Sequence, residues 1–397
     1  MTQKKNKLLK FNISYSAVQG FYWTFYSVAA IYVSVYMLAK GYSNTAVGMV
    51  IAIGNISSVL CQSVLSNIAD RNPKVTNLLL LKLLTGLLFA FTGAVFLIGK
   101  NCFTLTFCYT FVIIVFTTMQ PFANALGFDL ERSSGIHVSF GIARAAGSLL
   151  AGIQCYFVGV LVTKLGEDSI MWEGLLVVVA IFLSFVVSGR LMKSSDTDPA
   201  KADQEKALSL REFISGHKAF IILSLGVVLL FFGNAVLENF IYQIVVSIGG
   251  DASQMGAVAA VGAIMEVPAM VCFDKIIKHF SYRTLLVVAS VFFLSKVVMF
   301  LFAGSLIVIY LAYLNQILGY GLIFPAMVGF IDNIMDKREA IRGQAVFTMA
   351  MTIGQVLGMI IGGRILDLLS VHALLILSTV LTAIAVLIFS LVIRKVK

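Results

Sequence analysis

Apolar positions in this chain come in runs far longer than a helical turn, separated by short polar stretches. A run of about 20 largely apolar residues is long enough to cross a bilayer core as a helix. Twelve such runs stand out, at roughly 14–38, 44–67, 75–98, 102–128, 138–162, 169–189, 219–247, 252–275, 283–303, 305–331, 341–363 and 372–393. They lack the alternation of barrel strands. Backbone groups inside hydrocarbon must be paired within each segment, so the runs are expected to be α-helices. The pattern predicts an all-α membrane protein with twelve transmembrane helices.

One polar stretch is longer than the rest. Residues 190–213, RLMKSSDTDPAKADQEKALSLREF, divide the runs six and six. The expected organisation is a six-helix bundle over 1–189, a central loop over 190–217, and a second six-helix bundle over 218–397. The halves share a register. Gln62 and Asp70 recur as Glu266 and Asp274, and Pro121 recurs as Pro325, each 204 residues on. Two six-helix repeats are a transporter architecture, with the substrate site expected between them near the midplane.

Composition sharpens this picture. Hydrophobic residues make up 59% of the 397, and only 12% are charged, against about 25% in soluble domains. Mean hydropathy is +0.97. A soluble globular, disordered or collagen-like chain is excluded. The net charge of +10 does not point to nucleic acid. Most Lys and Arg lie in one alternating set of loops, while the other set holds only Lys40, Lys100, Lys164 and Arg364. The basic loops are expected in the cytoplasm, with both termini. The start, MTQKKNKLLK, resembles a signal n-region, but no small-residue cleavage site follows, so the first run reads as an uncleaved span.

Several chemistries find no support in the sequence. The five cysteines show no CxxC spacing, and the four histidines form no cluster, so neither a disulfide framework nor a metal site is expected. No glycine-rich phosphate loop is present, which argues against ATP drive. No nucleophile set for intramembrane catalysis is visible, so neither an enzyme nor a resident cofactor is expected.

Charges inside apolar runs are costly and need a reason. Glu266 sits near the middle of span eight, where a carboxyl can bind and release protons near neutral pH. Pro268 follows it. Glu238 in span seven shares an approximate polar face with Asn234 and Tyr242 at helical spacing. Lys296 in span nine either pairs with one of these glutamates or snorkels outward, and the sequence favours snorkelling. Lys82 in span three reads as snorkelling inward. Arg144, early in span five, can hold an anion or several hydroxyls through its planar fork, or reach the cytoplasmic surface. Gln19, Tyr22 and Tyr26 share one stripe of span one, with Trp23 beside them, and rings with polar tips suit a sugar or nucleoside. The alternative is an aromatic interface belt. Asn124, Asn315, Gln316 and the other amides in the spans read mainly as helix–helix contacts.

Taken together, the twelve spans, the six-plus-six split and the loop after span two resemble the major facilitator superfamily. Its loop signature G-x-L-x-D-R-x-G-R-[KR] is met here by Ser66, Ile68, Asp70, Arg71, Pro73 and Lys74. The resemblance implies a gating role for Asp70 and Arg71, and Asp274 holds the equivalent place in the second half. Within the superfamily the chain looks most similar to the oligosaccharide–proton symporter (lactose permease-like) branch. FGIAR at Phe140–Arg144 resembles that branch's FGRAR, whose last arginine binds sugar. Glu266 resembles its span-eight glutamate, Lys296 its span-nine arginine, and Glu238 falls near its span-seven carboxylates. The chain departs from the branch at Ala151, where a stacking tryptophan is expected, and at Gly319 and Leu322, where the span-ten proton site would fall. Asn124 is the polar residue nearest the branch's acidic sugar ligand in span four.

The resemblance implies a secondary active transporter driven by the proton gradient. The expected activity is symport of a sugar, oligosaccharide or nucleoside by alternating access. Arg144, Trp23, Tyr22, Tyr26, Asn124 and Gln19 are expected at substrate, and Glu266, Glu238 and Lys296 in proton coupling. Expected partners are a small solute, protons and lipid, with no nucleic acid. A monomeric, multi-pass protein of the cell (inner) membrane is expected. The alternative is a proton-driven exporter of drugs or amphiphiles. Such antiporters carry GxxxGPxxGG in span five, where this chain reads GIARAAGSLLAGIQ.

Overall fold

The computed structural model describes residues 2–72, 74–193 and 210–396, and within these no side-chain placement is described for 2–7, 70, 193, 210–212, 270, 274, 337 and 338. Most of the polar segment 190–213 therefore lies outside the described residues. Among the described residues the chain is helical, with no strand. In the first half α1 is Thr2–Tyr26, followed by a π-helical turn Ser27–Ile31, α2 Val33–Ala39, α3 Asn44–Arg71, α4 Asn77–Ile98, α5 Phe103–Ser134, α6 Phe140–Leu165 and α7 Ser169–Lys193. The second half has α8 Leu210–Gly216, α9 Lys218–Asn239, α10 Ile241–Ser247, α11 Ala252–Ile276, α12 Tyr282–Leu301, α13 Leu306–Tyr313, α14 Tyr320–Ile334, α15 Lys337–Leu368 and α16 Val371–Val392.

Six helix starts fall where a capping side chain meets an apolar run. Ser43, Thr76, Ser139, Ser281, Asp336 and Ser370 each accept the backbone N–H three residues on, satisfying a donor that has no intrahelical partner. Gly99 and Gly135 end α4 and α5 in the left-handed region, at φ +55° and +63°.

Among the described residues eleven helical segments are long and apolar enough to span a bilayer, and the pair Leu8–Ile31 and Val33–Ala39, bent by 41°, is the twelfth candidate. The twelve-helix expectation is met, but the first span is broken. No proline causes the break; the π-turn SVAAI does. The tenth span is interrupted by a 3₁₀ turn, Leu314–Gln316, and the run over 219–247 is interrupted at Phe240. Pro121, Pro268 and Pro325 lie inside helices without ending them.

By contacts the chain divides into two units, Met1–Lys201 with Asp251–Ala263, and Ala202–Gly250 with Ile264–Lys397. In the first, α1 packs on α6 and α7, and α4 on α5 and α7. In the second, α9 packs on α15 and α16, and α12 on α14 and α16. These four pairings correspond one to one, as the 204-residue repeat implies.

Close packing of α9 on α15 depends on small residues. A Cβ on Gly354 would stand 2.3 Å from the Val228 carbonyl oxygen, and one on Gly358 would stand 3.0 Å from that of Phe232. Backbone cannot yield as a flexible side chain can, so Gly354→Leu must push the helices apart. Gly354→Leu is expected to lower the thermal midpoint of the purified protein sharply. Gly304→Leu, at a site with nothing within 4 Å, is expected to leave it near wild type.

At one end of the first unit Lys40, just past α2, meets Glu167 at 3.1 Å and Asp168 at 2.7 Å in the α6–α7 turn. Burial opposes the Lys40 charge, but Asp168 and Glu167 outweigh it and raise its pKa. A bond from its own backbone N–H, then Lys40, hold the Glu167 carboxyl below its ordinary range.

Candidate functional site

Two polar clusters form, one in each unit. In the first unit, residues of α1 one turn apart are wired to one another. Trp23 Nε1 donates to Gln19 Oε1 at 3.2 Å, and Gln19 Nε2 donates to the Tyr15 hydroxyl at 3.1 Å and to Asn124 Oδ1 of α5 at 3.2 Å. The Tyr22 hydroxyl donates to the Phe116 carbonyl at 3.0 Å, and its ring stacks on Phe116. Gln19 and Tyr22 are buried, with their polar groups engaged inside the protein. Trp23, Tyr26, Asn124 and Arg144 are only partly buried. Trp23 packs between Tyr22 and Tyr26, at 5.5 and 5.7 Å between ring centroids. Across from it α6 carries Gly147, where a Cβ would stand 2.8 Å from the Trp23 ring. The indole occupies the space that this glycine leaves.

Arg144 completes the cluster. Its guanidinium carbon lies 3.9 Å from the Trp23 ring centroid, a cation–π stack. Nη1 donates to Ser148 Oγ, one turn on, at 2.6 Å. No carboxylate among the described residues forms an ion pair with it. A guanidinium has five N–H donors. Arg144 is thus a part-buried cation held flat by an aromatic face, with no anion among the described residues paired with it. The guanidinium is turned onto Trp23 and Ser148.

In the second unit the geometry overturns the snorkelling reading of Lys296, which is 2% exposed. Its Nζ donates to Glu238 Oε1 at 2.8 Å and to Gln316 Oε1 at 2.7 Å, and lies 4.4 Å from the Tyr313 ring centroid. Gln316 Nε2 donates in turn to Glu266 Oε1 at 3.0 Å. The relay runs Glu238, Lys296, Gln316, Glu266. Four helical segments bring it together, and two of its members sit at breaks. Glu238 is two residues before the interruption at Phe240, and Gln316 ends the 3₁₀ turn of span ten. Interrupted helices at polar sites are how spanning helices offer backbone and side chains to ligands. Asn234, one turn before Glu238, is buried with no hydrogen-bond partner for its Oδ1.

Ten of the expected site residues can thus be placed by their side chains. Nine of them, Arg144, Trp23, Tyr22, Tyr26, Asn124 and Gln19 with Glu266, Glu238 and Lys296, fall into the two clusters. The tenth, Arg71, ends α3 in an exposed position. The side chains of Asp70 and Asp274 lie outside the described residues. Gln316 and Tyr313 were not expected at a site. An amide in the middle of an apolar run looks like any helix–helix contact until its neighbours are known.

The family model described as the MFS_1-like family matches residues 13–377. An uncharacterized transporter, YwbF of Bacillus subtilis (strain 168), is 23% identical over 385 residues, covering 93% of this chain and 90% of that protein. Among solved structures, the nucleoside transporter NupG is similar at a TM-score of 0.75 and 14% identity, covering 99% of this chain and 100% of that one. A bacterial homologue of the human lysosomal transporter Spinster, in an inward-facing and unoccupied conformation, is similar at 0.67 and 15%, covering 99% and 97%. At these identities the solved structures speak for the fold. The chain belongs to the MFS_1-like family and is a membrane transporter of the major facilitator type, not an enzyme.

Proposed function

We propose that the protein is a proton-coupled importer of a small polar solute, with nucleosides and sugars the first classes to test, and that Glu266 carries the exchangeable proton. One observation carries the coupling: a single buried ammonium, Lys296, serves two carboxylates, Glu238 directly and Glu266 through Gln316. With both carboxylates ionised the group has a net negative charge inside the membrane, which is costly. One proton makes it neutral. Glu238 has the direct bond to the ammonium, so the proton belongs on Glu266. Binding and release there change the charge that Lys296 must balance, and a ligand shifts a conformational equilibrium only through such differences between states.

Substrate recognition is assigned to Arg144 and the aromatic face of Trp23 and Tyr26. An uncompensated planar cation over an indole suits a solute with hydroxyls and a ring. That NupG is a nucleoside transporter supports putting nucleosides first. The charge bias of the loops supports a cytoplasmic location for both termini, and the motif around Asp70 and Arg71 supports a gating role there and at Asp274.

The test uses the purified protein in proteoliposomes with a panel of nucleosides and sugars. Adding a substrate to a lightly buffered suspension should alkalinise the medium. Glu266→Gln should keep exchange of labelled substrate across the membrane but lose accumulation driven by a pH gradient. Full proton-driven accumulation by Glu266→Gln would remove Glu266 as the coupling group. Accumulation in cells that falls on expression would replace import by export.

A further inference from the structure

Glu173 takes no part in either cluster. It lies in the second turn of α7, within MWEGLL, and is 5% exposed. Gln154 of α6 donates a hydrogen bond to its Oε1. Its Oε2 is buried with no hydrogen-bond partner. No cation among the described residues forms an ion pair with it. An ionised carboxylate in this setting forgoes the partners that normally compensate its charge. A carboxylic acid carries no charge, and the one bond from Gln154 serves its carbonyl oxygen.

The groups around it supply no counter-charge. The Tyr32 phenol is within electrostatic reach of Glu173 and of Cys155, and its hydroxyl donates to the Cys155 carbonyl at 2.6 Å. On α5 the Tyr109 hydroxyl donates to the Val28 carbonyl at 2.9 Å. On α4 Lys82 lies near Gly189, toward the other end of α7. Just before α7, Glu167 and Asp168 are held by Lys40. Glu173 also borders the break in the first span. A Cβ on the adjacent Gly174 would stand 3.2 Å from Val28, inside the π-turn Ser27–Ile31, and Tyr32 follows that turn directly. Such turns in α-helices gather at functional positions.

We infer that Glu173 is a second proton-binding site, in the first unit, which holds a proton on Oε2, exchanges it with the aqueous phase, and on releasing it places a negative charge beside Tyr32 and the π-turn. The site stands apart from the Lys296 relay and does not depend on the coupling assigned there.

The experiment is infrared difference spectroscopy of the full chain in lipid nanodiscs without substrate, titrated from about pH 5 to about pH 10. A Glu238→Gln/Glu266→Gln/Lys296→Met background is used, so that the carboxyls of the relay are silent and no buried ammonium is left without its partner. A carboxylic-acid carbonyl band is expected near neutrality, lost as pH rises and absent when Glu173→Gln is added. Gln154→Leu, which removes the bond to Oε1, should displace the midpoint by about one pH unit. This variant carries the test if Glu173→Gln does not fold. The inference is overturned if this background shows no acid band, if its band is unchanged up to pH 10, if the band survives Glu173→Gln, or if Gln154→Leu leaves the midpoint in place.

Discussion

Lys296→Met should abolish proton-driven uptake and leave little folded protein, and adding Glu238→Gln should restore the fold without restoring uptake. Lys296 is almost wholly buried and bonded to Glu238 and Gln316. Removing one member of a buried ion pair leaves the other uncompensated, at a cost of roughly 3–5 kcal/mol. Folding stabilities are commonly only ~5–15 kcal/mol, so the loss is a large share of the whole. Replacing both members by neutral groups of similar size removes the stranded charge, and such swaps are often near neutral for stability. The double variant should therefore be recovered in detergent with a thermal midpoint close to wild type. It should still fail to accumulate substrate, because the ammonium that links Glu238 to Glu266 through Gln316 is gone. A single Lys296→Met protein that is as stable as wild type would show that the pair is dispensable for the fold. A double variant that accumulates substrate normally would show it dispensable for coupling.

The architecture was legible because it follows from crude properties. Runs of apolar residues, capping residues at their starts and a repeat of 204 residues are visible without knowing any contact. The breaks were less legible. SVAAI holds neither proline nor a glycine pair, and the π-turn there is settled by packing against α6 and α7 rather than by local preference. Proline was no guide to them either, since Pro268 lies inside a helix that runs from Ala252 to Ile276. At the sites, isolated intramembrane charges were good pointers, and Glu266, Glu238 and Lys296 all join one relay. Their partners were not legible. Whether Lys296 snorkels or turns inward depends on which face of α12 meets α9 and the 3₁₀ turn, and one helix's sequence does not state that. Glu173 obeys the same rule of costly charge, but near the start of α7 the sequence alone does not set it apart from an interfacial residue.

Arg144→Ala should lower substrate affinity by about 100-fold or more while leaving the fold intact. Hydrogen bonds to a charged group contribute about 1.5–3 kcal/mol each, and the guanidinium has donors left for substrate after its bond to Ser148. Its loss strands no buried protein anion, since no carboxylate among the described residues pairs with it. This is the reverse of the case at Lys296, where the protein itself depends on the charge. Arg144→Lys should rescue little, because an ammonium has neither the planar fork nor the same stack on Trp23. The measurement exploits a feature of the sequence: Trp23 and Trp172 are the chain's 2 tryptophans. In a Trp172→Phe background Trp23 is the sole indole, and it lies against the proposed substrate ligand. Titrating nucleosides and sugars should change its emission with a midpoint that reports affinity. Adding Arg144→Ala or Arg144→Lys should move that midpoint beyond reach, while Arg364→Ala, at an exposed position on α15, should leave it in place. If the midpoint in Arg144→Ala stayed within about threefold of the parent, a shift of well under 1 kcal/mol, Arg144 would be a packing partner of Trp23 rather than a ligand.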